Sequence, residues 1–226
     1  MHDTDSPIRA VAFDYGGVLA SFIDDDALCH MAAVAGAPLE VFRRALWGHR
    51  PEFDSGGIDA DSYWRAVLDS CRTDAGGRSG DDIAGTIELL MCLDSLGWSR
   101  MNLAVMRWAG SLRRLGYRTL IISNMSVPAY EALIRDQHWV GLFDYVLVSG
   151  AIGVNKPDPA IFERAVNDMH LNPVSVLFVD DGEPNVAAAR RFGMPALHFT
   201  NARSFADELD RSGFDLPTSG LRCEGP

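Results

Sequence analysis

The sequence predicts an α/β protein in which a Rossmann-like parallel sheet carries helices on both faces and an all-helical segment is inserted. One short apolar run lies near the N-terminus, and four more alternate with helical patterns in the second half of the chain. Alternating strands and helices favour a parallel sheet that is covered on both faces. The intervening residues, 21–96, show helical patterns and no convincing strand.

Five short apolar runs are predicted to be buried strands. They cover residues 8–13, 118–122, 145–148, 175–179 and 195–199. Helices are predicted over residues 99–115, 130–138, 157–170 and 184–192. Prolines suit the first turn of the last two helices, and Gly193 suits the end of the final one. Ligands of such sheets bind beyond the carboxyl ends of the strands.

The inserted segment is predicted to contain four helices. They cover residues 24–35, 38–47, 59–71 and 79–92, with glycine pairs between some of them. A helix break is expected in the run from Trp47 to Pro51. We therefore expect residues 1–20 and 97–226 to form an α/β core and residues 21–96 to form a helical cap.

The amino-acid composition and the net charge argue for some classes of protein and against others. The 226 residues are 47% hydrophobic, which is enough for a sizeable core, and the formal net charge is −11. Such an acidic chain is poorly suited to nonspecific nucleic-acid binding or to an anionic membrane surface. The N-terminus lacks the pattern of a signal peptide, no apolar run is long enough to span a membrane, and the four cysteines are scattered. We expect a cytoplasmic protein that is a monomer or a homodimer.

Polar residues stand where the predicted strands end. Asp14 follows the first strand, Ser123 follows the second, and Asp180 and Asp181 follow a later one. Three carboxylates at one sheet edge repel each other unless a cation lies among them, and an all-oxygen ligand set suits Mg²⁺. Lys156 is the only lysine among 20 basic residues, and its compact ammonium could hold a phosphate oxygen. The set predicts phosphoryl transfer to an aspartate, followed by hydrolysis.

Four motifs in this order resemble those of the haloacid dehalogenase superfamily, mainly its capped phosphatases. They are Phe13-Asp14-Tyr15-Gly16-Gly17-Val18-Leu19, Ile121-Ile122-Ser123-Asn124, Lys156-Pro157-Asp158-Pro159 and Phe178-Val179-Asp180-Asp181-Gly182. The resemblance covers nearly the whole chain. It is nearest to the group that contains the phosphatase domain of soluble epoxide hydrolases and bacterial sugar-phosphate phosphatases.

The resemblance implies a hydrolase of small phosphorylated metabolites that works with Mg²⁺. Asp14 would be the nucleophile, assisted by Ser123 and Lys156. Two sets of ligands follow from the resemblance. The substrate would be bound by Ser123, Asn124, Lys156 and Gly17, and the metal would be bound by Asp14, the carbonyl of Gly16, Asp180 and Asp181.

Gly16 departs from the superfamily pattern. Most phosphatases of the superfamily carry a second aspartate at this position, as the general acid and base. Its absence points to substrates with good leaving groups or to an acid supplied by the cap, where the candidates are His49, Glu52 and Asp54. Two alternatives stay open: a metal-independent 2-haloacid dehalogenase with Asp14 as the nucleophile, and a non-catalytic binding or regulatory protein.

Overall fold

The sheet has five parallel strands. The computed structural model describes residues 8–75 and 83–222. The strands are β1 (Ala10–Phe13), β2 (Arg118–Ser123), β3 (Tyr145–Val148), β4 (Val176–Asp180) and β5 (Ala196–His198). Their order is β3-β2-β1-β4-β5, and every neighbouring pair is parallel. The predicted α/β fold with a parallel sheet is confirmed.

Helices surround the sheet and fill the inserted segment. They are α1 (Asp25–Ala35), α2 (Leu39–Asp54), α3 (Ala60–Ala75), α4 (Ile83–Gly97), α5 (Leu103–Arg114), α6 (Val127–Tyr130), α7 (Pro159–Asp168), α8 (Glu183–Phe192) and α9 (Ala202–Ser212). The start of the helix predicted over residues 79–92 lies outside the described residues. The helix predicted over residues 130–138 is instead α6, a π-helical turn over Glu131–Arg135 and a 3₁₀ turn over His138–Leu142.

Side chains alternate between the two faces of the sheet. On β1, Val11 and Phe13 join an apolar cluster that includes residues of α5 and α9, whereas Ala10 and Ala12 join a second cluster that includes residues of α7 and α8. Because successive side chains of a strand point in opposite directions, a fully apolar strand requires cover on both faces. The charged residues of the strands, Arg118 and Asp180, lie at strand ends.

The helices α1 to α4 have an apolar cluster of their own, which includes Phe42, Leu46, Phe53 and Trp64. Two chain segments connect these helices to the rest of the chain, side by side. Ser21 donates its N–H to the Arg100 carbonyl at 2.8 Å, and Asn102 donates to the Leu19 carbonyl at 2.8 Å. Among the described residues, no helix is both long and apolar enough to cross a membrane.

The helix break expected between Trp47 and Pro51 is wrong. Helix α2 continues through Pro51 to Asp54. Its buried face also continues, since Phe42, Leu46, Arg50 and Phe53 are all buried and follow the helical spacing. Packing of that face against α3 outweighs the local preference of a single proline near the end of the helix.

Candidate active site

Adjacent strands bring the predicted site residues to one edge of the sheet. Asp14 directly follows β1, Ser123 is the last residue of β2, and Asp180 is the last residue of β4. Since β2 and β4 flank β1 and all three are parallel, their carboxyl ends meet at the same edge. Lys156 reaches the same place from the loop that precedes α7.

The Lys156 ammonium lies at the centre of the site. Its side chain has no exposed surface, and its Nζ lies 2.8 Å from Asp14 Oδ1, 2.7 Å from Asp180 Oδ2 and 3.0 Å from the Ile122 carbonyl oxygen. These three acceptors match the three donors of an ammonium. Burial lowers the pKa of Lys156, but the two carboxylates outweigh burial and raise it. The ammonium is therefore charged and fixed in place.

Asn124 fixes the loop that carries Lys156. Its Oδ1 accepts the Lys156 N–H at 2.7 Å, and its Nδ2 donates to the Lys156 carbonyl at 2.9 Å. Both polar ends of the amide are thus used by the main chain of one residue. The expectation that Asn124 also binds substrate stays a prediction, although its side chain lines the cavity described below.

Three carboxylates form a cluster beside Lys156. Each of Asp14, Asp180 and Asp181 offers an oxygen within 4.8 Å of the others. Asp180 Oδ1 accepts hydrogen bonds from the Gly182 N–H at 2.8 Å and from Asn185 Nδ2 at 2.9 Å, so Asp180 is held firmly. A small set of carboxylate oxygens is the donor set that Mg²⁺ accepts, and the residues present fit this ion.

Burial and mutual repulsion oppose ionisation of this cluster. Burial, with repulsion from Asp180 and Asp181, raises the pKa of Asp14 to about 7 against the opposing pull of Lys156. Burial, and then repulsion from Asp180, raises the pKa of Asp181. One ammonium therefore does not balance three acidic groups, which is the electrostatic situation that a bound cation would relieve.

The two glycines after Asp14 are each in close contact with another part of the site. Gly17 has a positive φ of 77°, and a Cβ there would lie 2.6 Å from Asp181 Cγ. A Cβ on Gly16 would lie 2.9 Å from Cζ3 of Trp98. Any side chain at position 16 therefore requires the Trp98 ring to move. The space that a second aspartate would need is occupied by an aromatic ring.

Asp14, Asp181 and Lys156 line a cavity of about 160 Å³. One wall is aromatic, since the Trp98 ring lies 5.4 Å from the Phe22 ring and 6.1 Å from the Trp47 ring. Besides these rings, the lining includes Asp14, Tyr15, Gly16, Arg50, Asp54, Asp94, Ser123, Asn124, Met125, Ala129, Leu133, Lys156, Asp181 and Asn185. The cavity therefore joins the carboxyl edge of the sheet to the ends of helices α2 and α4.

The three candidate acids, His49, Glu52 and Asp54, occupy different positions. His49 Nε2 lies 3.1 Å from Ser70 Oγ, Glu52 is exposed, and neither residue lines the cavity. Asp54 does line it. Burial, and secondarily repulsion from Asp94, raises the pKa of Asp54 to about 7, although Arg50 opposes the rise.

Sequence reasoning missed a buried ion pair that also lines the cavity. Arg50 donates two hydrogen bonds to Asp94, at 2.7 and 3.2 Å, and its guanidinium lies 5.4 Å from the centre of the Trp47 ring. Both residues stand on the otherwise apolar faces of their helices. A charged residue on such a face is rarely buried without a partner, and this signal could have identified the pair.

Comparison with known proteins agrees with the fold and the motifs. Residues 8–193 match the family described as haloacid dehalogenase-like hydrolase. The chain is 24% identical over 214 residues to a D-ribitol-5-phosphate phosphatase from Bacteroides thetaiotaomicron, covering 89% of this chain and 97% of the relative. The structure is similar to that of an enzyme of this family from the same organism, in complex with magnesium and inorganic phosphate. That similarity has a TM-score of 0.62 at 18% identity and covers 84% of this chain and 93% of the other.

Two other relatives are much longer than this chain. The bifunctional epoxide hydrolase 2 of Rattus norvegicus is 26% identical over 230 residues, which are 95% of this chain and 40% of the relative. A drimenol cyclase from Aspergillus calidoustus is 29% identical over 202 residues, which are 85% of this chain and 34% of the relative. The resemblance inferred from the four motifs is confirmed, and the alternative of a non-catalytic protein is not supported. The chain belongs to the haloacid dehalogenase-like hydrolases and is a hydrolase.

Proposed function

We propose that this hydrolase is a Mg²⁺-dependent phosphatase that forms an aspartyl-phosphate on Asp14. The observation that carries the proposal is the cluster of Asp14, Asp180 and Asp181 around the buried ammonium of Lys156. A cluster with excess acid needs a cation, and a lysine beside it can hold an anionic group. The similar structure that contains magnesium and inorganic phosphate supports the same chemistry.

The roles of the remaining residues follow from their positions. Lys156, Ser123, Asn124 and the main chain at Gly17 would hold the phosphate group. Asp14, the Gly16 carbonyl and Asp181 would bind Mg²⁺, with Asp180 assisting directly or through water. The bound ion would neutralise part of the phosphoryl charge. Asp14 attacks phosphorus, the leaving oxygen departs, and water then hydrolyses the aspartyl-phosphate.

The substrate that fits this site is a small phosphate monoester. The volume of about 160 Å³ is close to that of a cavity, roughly 150 Å³, that accommodates benzene. Beyond the phosphate position the wall is formed by Phe22, Trp47 and Trp98, and Arg50 is already paired with Asp94. A second phosphate group would therefore lack a cation. We infer that a core of residues 1–20 and 97–226 supplies the chemistry and that the cap, residues 21–96, supplies this wall.

The dehalogenase alternative uses the same nucleophile on carbon rather than on phosphorus. That reaction needs no metal, and two further carboxylates at the fourth motif would repel a 2-haloacid anion. Asp181 lines the cavity, and Asp180 lies within 4.8 Å of Asp14. The carboxylate cluster therefore favours the phosphatase.

The test is a screen of phosphate monoesters with and without Mg²⁺, using the wild type and Asp14→Asn. We expect phosphate release that requires Mg²⁺ and is absent in the variant, because an amide is a poor nucleophile and a weaker metal ligand. Metal-independent chloride release from a 2-chloroalkanoate, without phosphate release from any ester, would instead identify a dehalogenase. Full activity of Asp14→Asn, with deamidation excluded by mass spectrometry, would place the nucleophile elsewhere.

A further inference from the structure

Asp54 lines the cavity, and none of the roles proposed above involves its carboxyl group. It is the last residue of α2 and lines the same cavity as Asp14 and Gly16. Position 16, on the loop of the nucleophile, is a glycine and offers no acid. The Trp98 ring occupies the space that a side chain there would need. A phosphatase acting on alkyl esters still needs a proton at the leaving oxygen, because an alkoxide is a poor leaving group.

The main chain around Asp54 is anchored to the loops that carry the phosphate-site residues. Ser149 Oγ donates to the Asp54 carbonyl at 2.6 Å, and Asn155 Nδ2 donates to the Pro51 carbonyl at 2.6 Å. Asn155 precedes Lys156, and Ser149 directly follows β3. The Ser126 N–H lies close enough to the Asp54 carboxyl group to lower its pKa. These contacts hold the last turn of α2 at the edge where Asp14 lies.

The surroundings of Asp54 favour a carboxyl group that can hold a proton near neutral pH. Three ionisable groups face it: Arg50 on α2, Asp94 on α4 and the Tyr63 phenol on α3. Arg50 donates two hydrogen bonds to Asp94, and Asp54 makes no ion pair within the described residues. A carboxyl group with little solvent and no ion-pair partner retains its proton to higher pH. The resulting pKa of about 7 suits a group that must donate and then accept a proton.

We propose that Asp54 is the general acid and base of this enzyme, supplied by the cap in place of the side chain missing at Gly16. The inference rests on the proposed phosphatase function. In the first step Asp14 Oδ bonds to phosphorus, the phosphorus–oxygen bond of the ester breaks, and the Asp54 proton goes to the leaving oxygen. In the second step water bonds to phosphorus, Asp54 takes the water proton, and the bond to Asp14 breaks. Both carboxyl groups return to their starting states.

The test compares wild type, Asp54→Asn and Glu52→Gln on two kinds of ester. One is an alkyl phosphate, and the other is an aryl phosphate with an acidic phenol that leaves without a proton. We expect Asp54→Asn to lower kcat/KM for the alkyl phosphate by about 10²–10⁴-fold and to change the aryl phosphate far less. Glu52 is an exposed carboxylate on the same helix. Glu52→Gln is therefore the matched control, and it should behave as wild type.

A pH profile of the wild type tests the same inference without any substitution. The acid must be protonated to act, so kcat/KM for the alkyl ester should fall as pH rises through about 7. The pH profile for the aryl ester should not show this decrease. The role of Asp54 would be overturned if Asp54→Asn lost kcat/KM equally on both esters, or lost none on either. It would also be overturned if kcat/KM of the wild type for the alkyl ester did not fall as pH rises through about 7. Failure of the wild type on both esters would instead overturn the phosphatase function itself.

Discussion

Replacing Asp54 by Asn should make the protein more stable at neutral pH. Burial raises the pKa of Asp54 from 3.8, its ordinary value, to about 7 in the folded protein. The unfolded chain therefore releases this proton at lower pH than the folded protein does. A carboxyl group with a raised pKa contributes stability that is fully present below about pH 4 and is lost as pH rises to about 7. Asn has no proton to lose, so the variant escapes this loss.

The size of the effect follows from the change in pKa. A rise of about 3 pKa units at 1.36 kcal/mol each gives about 4 kcal/mol as an upper limit. Asp54 keeps some exposed surface, and its carboxyl group is screened by water and by Arg50. We therefore expect the free energy of unfolding of Asp54→Asn to increase relative to that of wild type by about 1–3 kcal/mol as pH rises from about 4.5 to about 8. The Asn side-chain carbonyl can still accept the Ser126 N–H.

The assay is urea unfolding of both proteins across this pH range, with Glu52→Gln as the control. Groups remote from Asp54 titrate alike in the variant and the wild type, so their contributions cancel in the difference between the two proteins. Glu52→Gln should differ from wild type by less than about 0.5 kcal/mol at every pH. A constant difference for Asp54→Asn, or one that shrinks as pH rises, would show that the pKa of Asp54 is not raised in the folded protein. The reasoning about its surroundings would then be wrong.

Three further substitutions test the rest of the site. Asp181→Ala should raise the Mg²⁺ concentration that gives half-maximal activity by at least about tenfold, and an unchanged Mg²⁺ titration would contradict its role as a ligand. Lys156→Met should lower the free energy of unfolding by about 3–5 kcal/mol, because the carboxylates of Asp14 and Asp180 lose their buried partner; a loss below about 1 kcal/mol in urea unfolding would contradict this. Gly16→Ala should cost about 1–3 kcal/mol through its contact with Trp98, and that cost should largely disappear in a Trp98→Ala background. Additive free energies in the four proteins of this cycle would show that the two residues do not interact.

Local patterns were sufficient to predict the sheet and its polar edge. Each strand is a short apolar run, and each is bounded by residues that interrupt the pattern. Asp14, Ser123 and Asp180 were found because a polar residue at the end of a buried parallel strand has few explanations other than a site. The parallel order then brings these residues together without any long-range information.

The inserted helices α1 to α4 were predicted less completely because their details depend on contacts between distant residues. Helix α2 passes Pro51 since its buried face packs on α3, and local propensity does not contain that contact. The pairing of Arg50 with Asp94 joins residues 44 positions apart. The approach of Trp98 to Gly16 likewise depends on where α4 ends relative to the loop after β1. Asp54 could be named from the sequence only as one of three candidates.

In the proposed phosphatase, Asp54 would supply the proton that the chain cannot obtain from a side chain at Gly16. In the superfamily pattern the proton donor stands on the loop of the nucleophile. In this chain the loop position has a glycine, the ring of Trp98 fills the adjacent space, and Asp54 at the end of α2 lines the same cavity. If Asp54 donates the proton, its position beside Asp14 depends on the contact of α2 with the segment after β3, through the Ser149 and Asn155 hydrogen bonds. The contact between α2 and this segment would then both shape the cavity and position the proton donor.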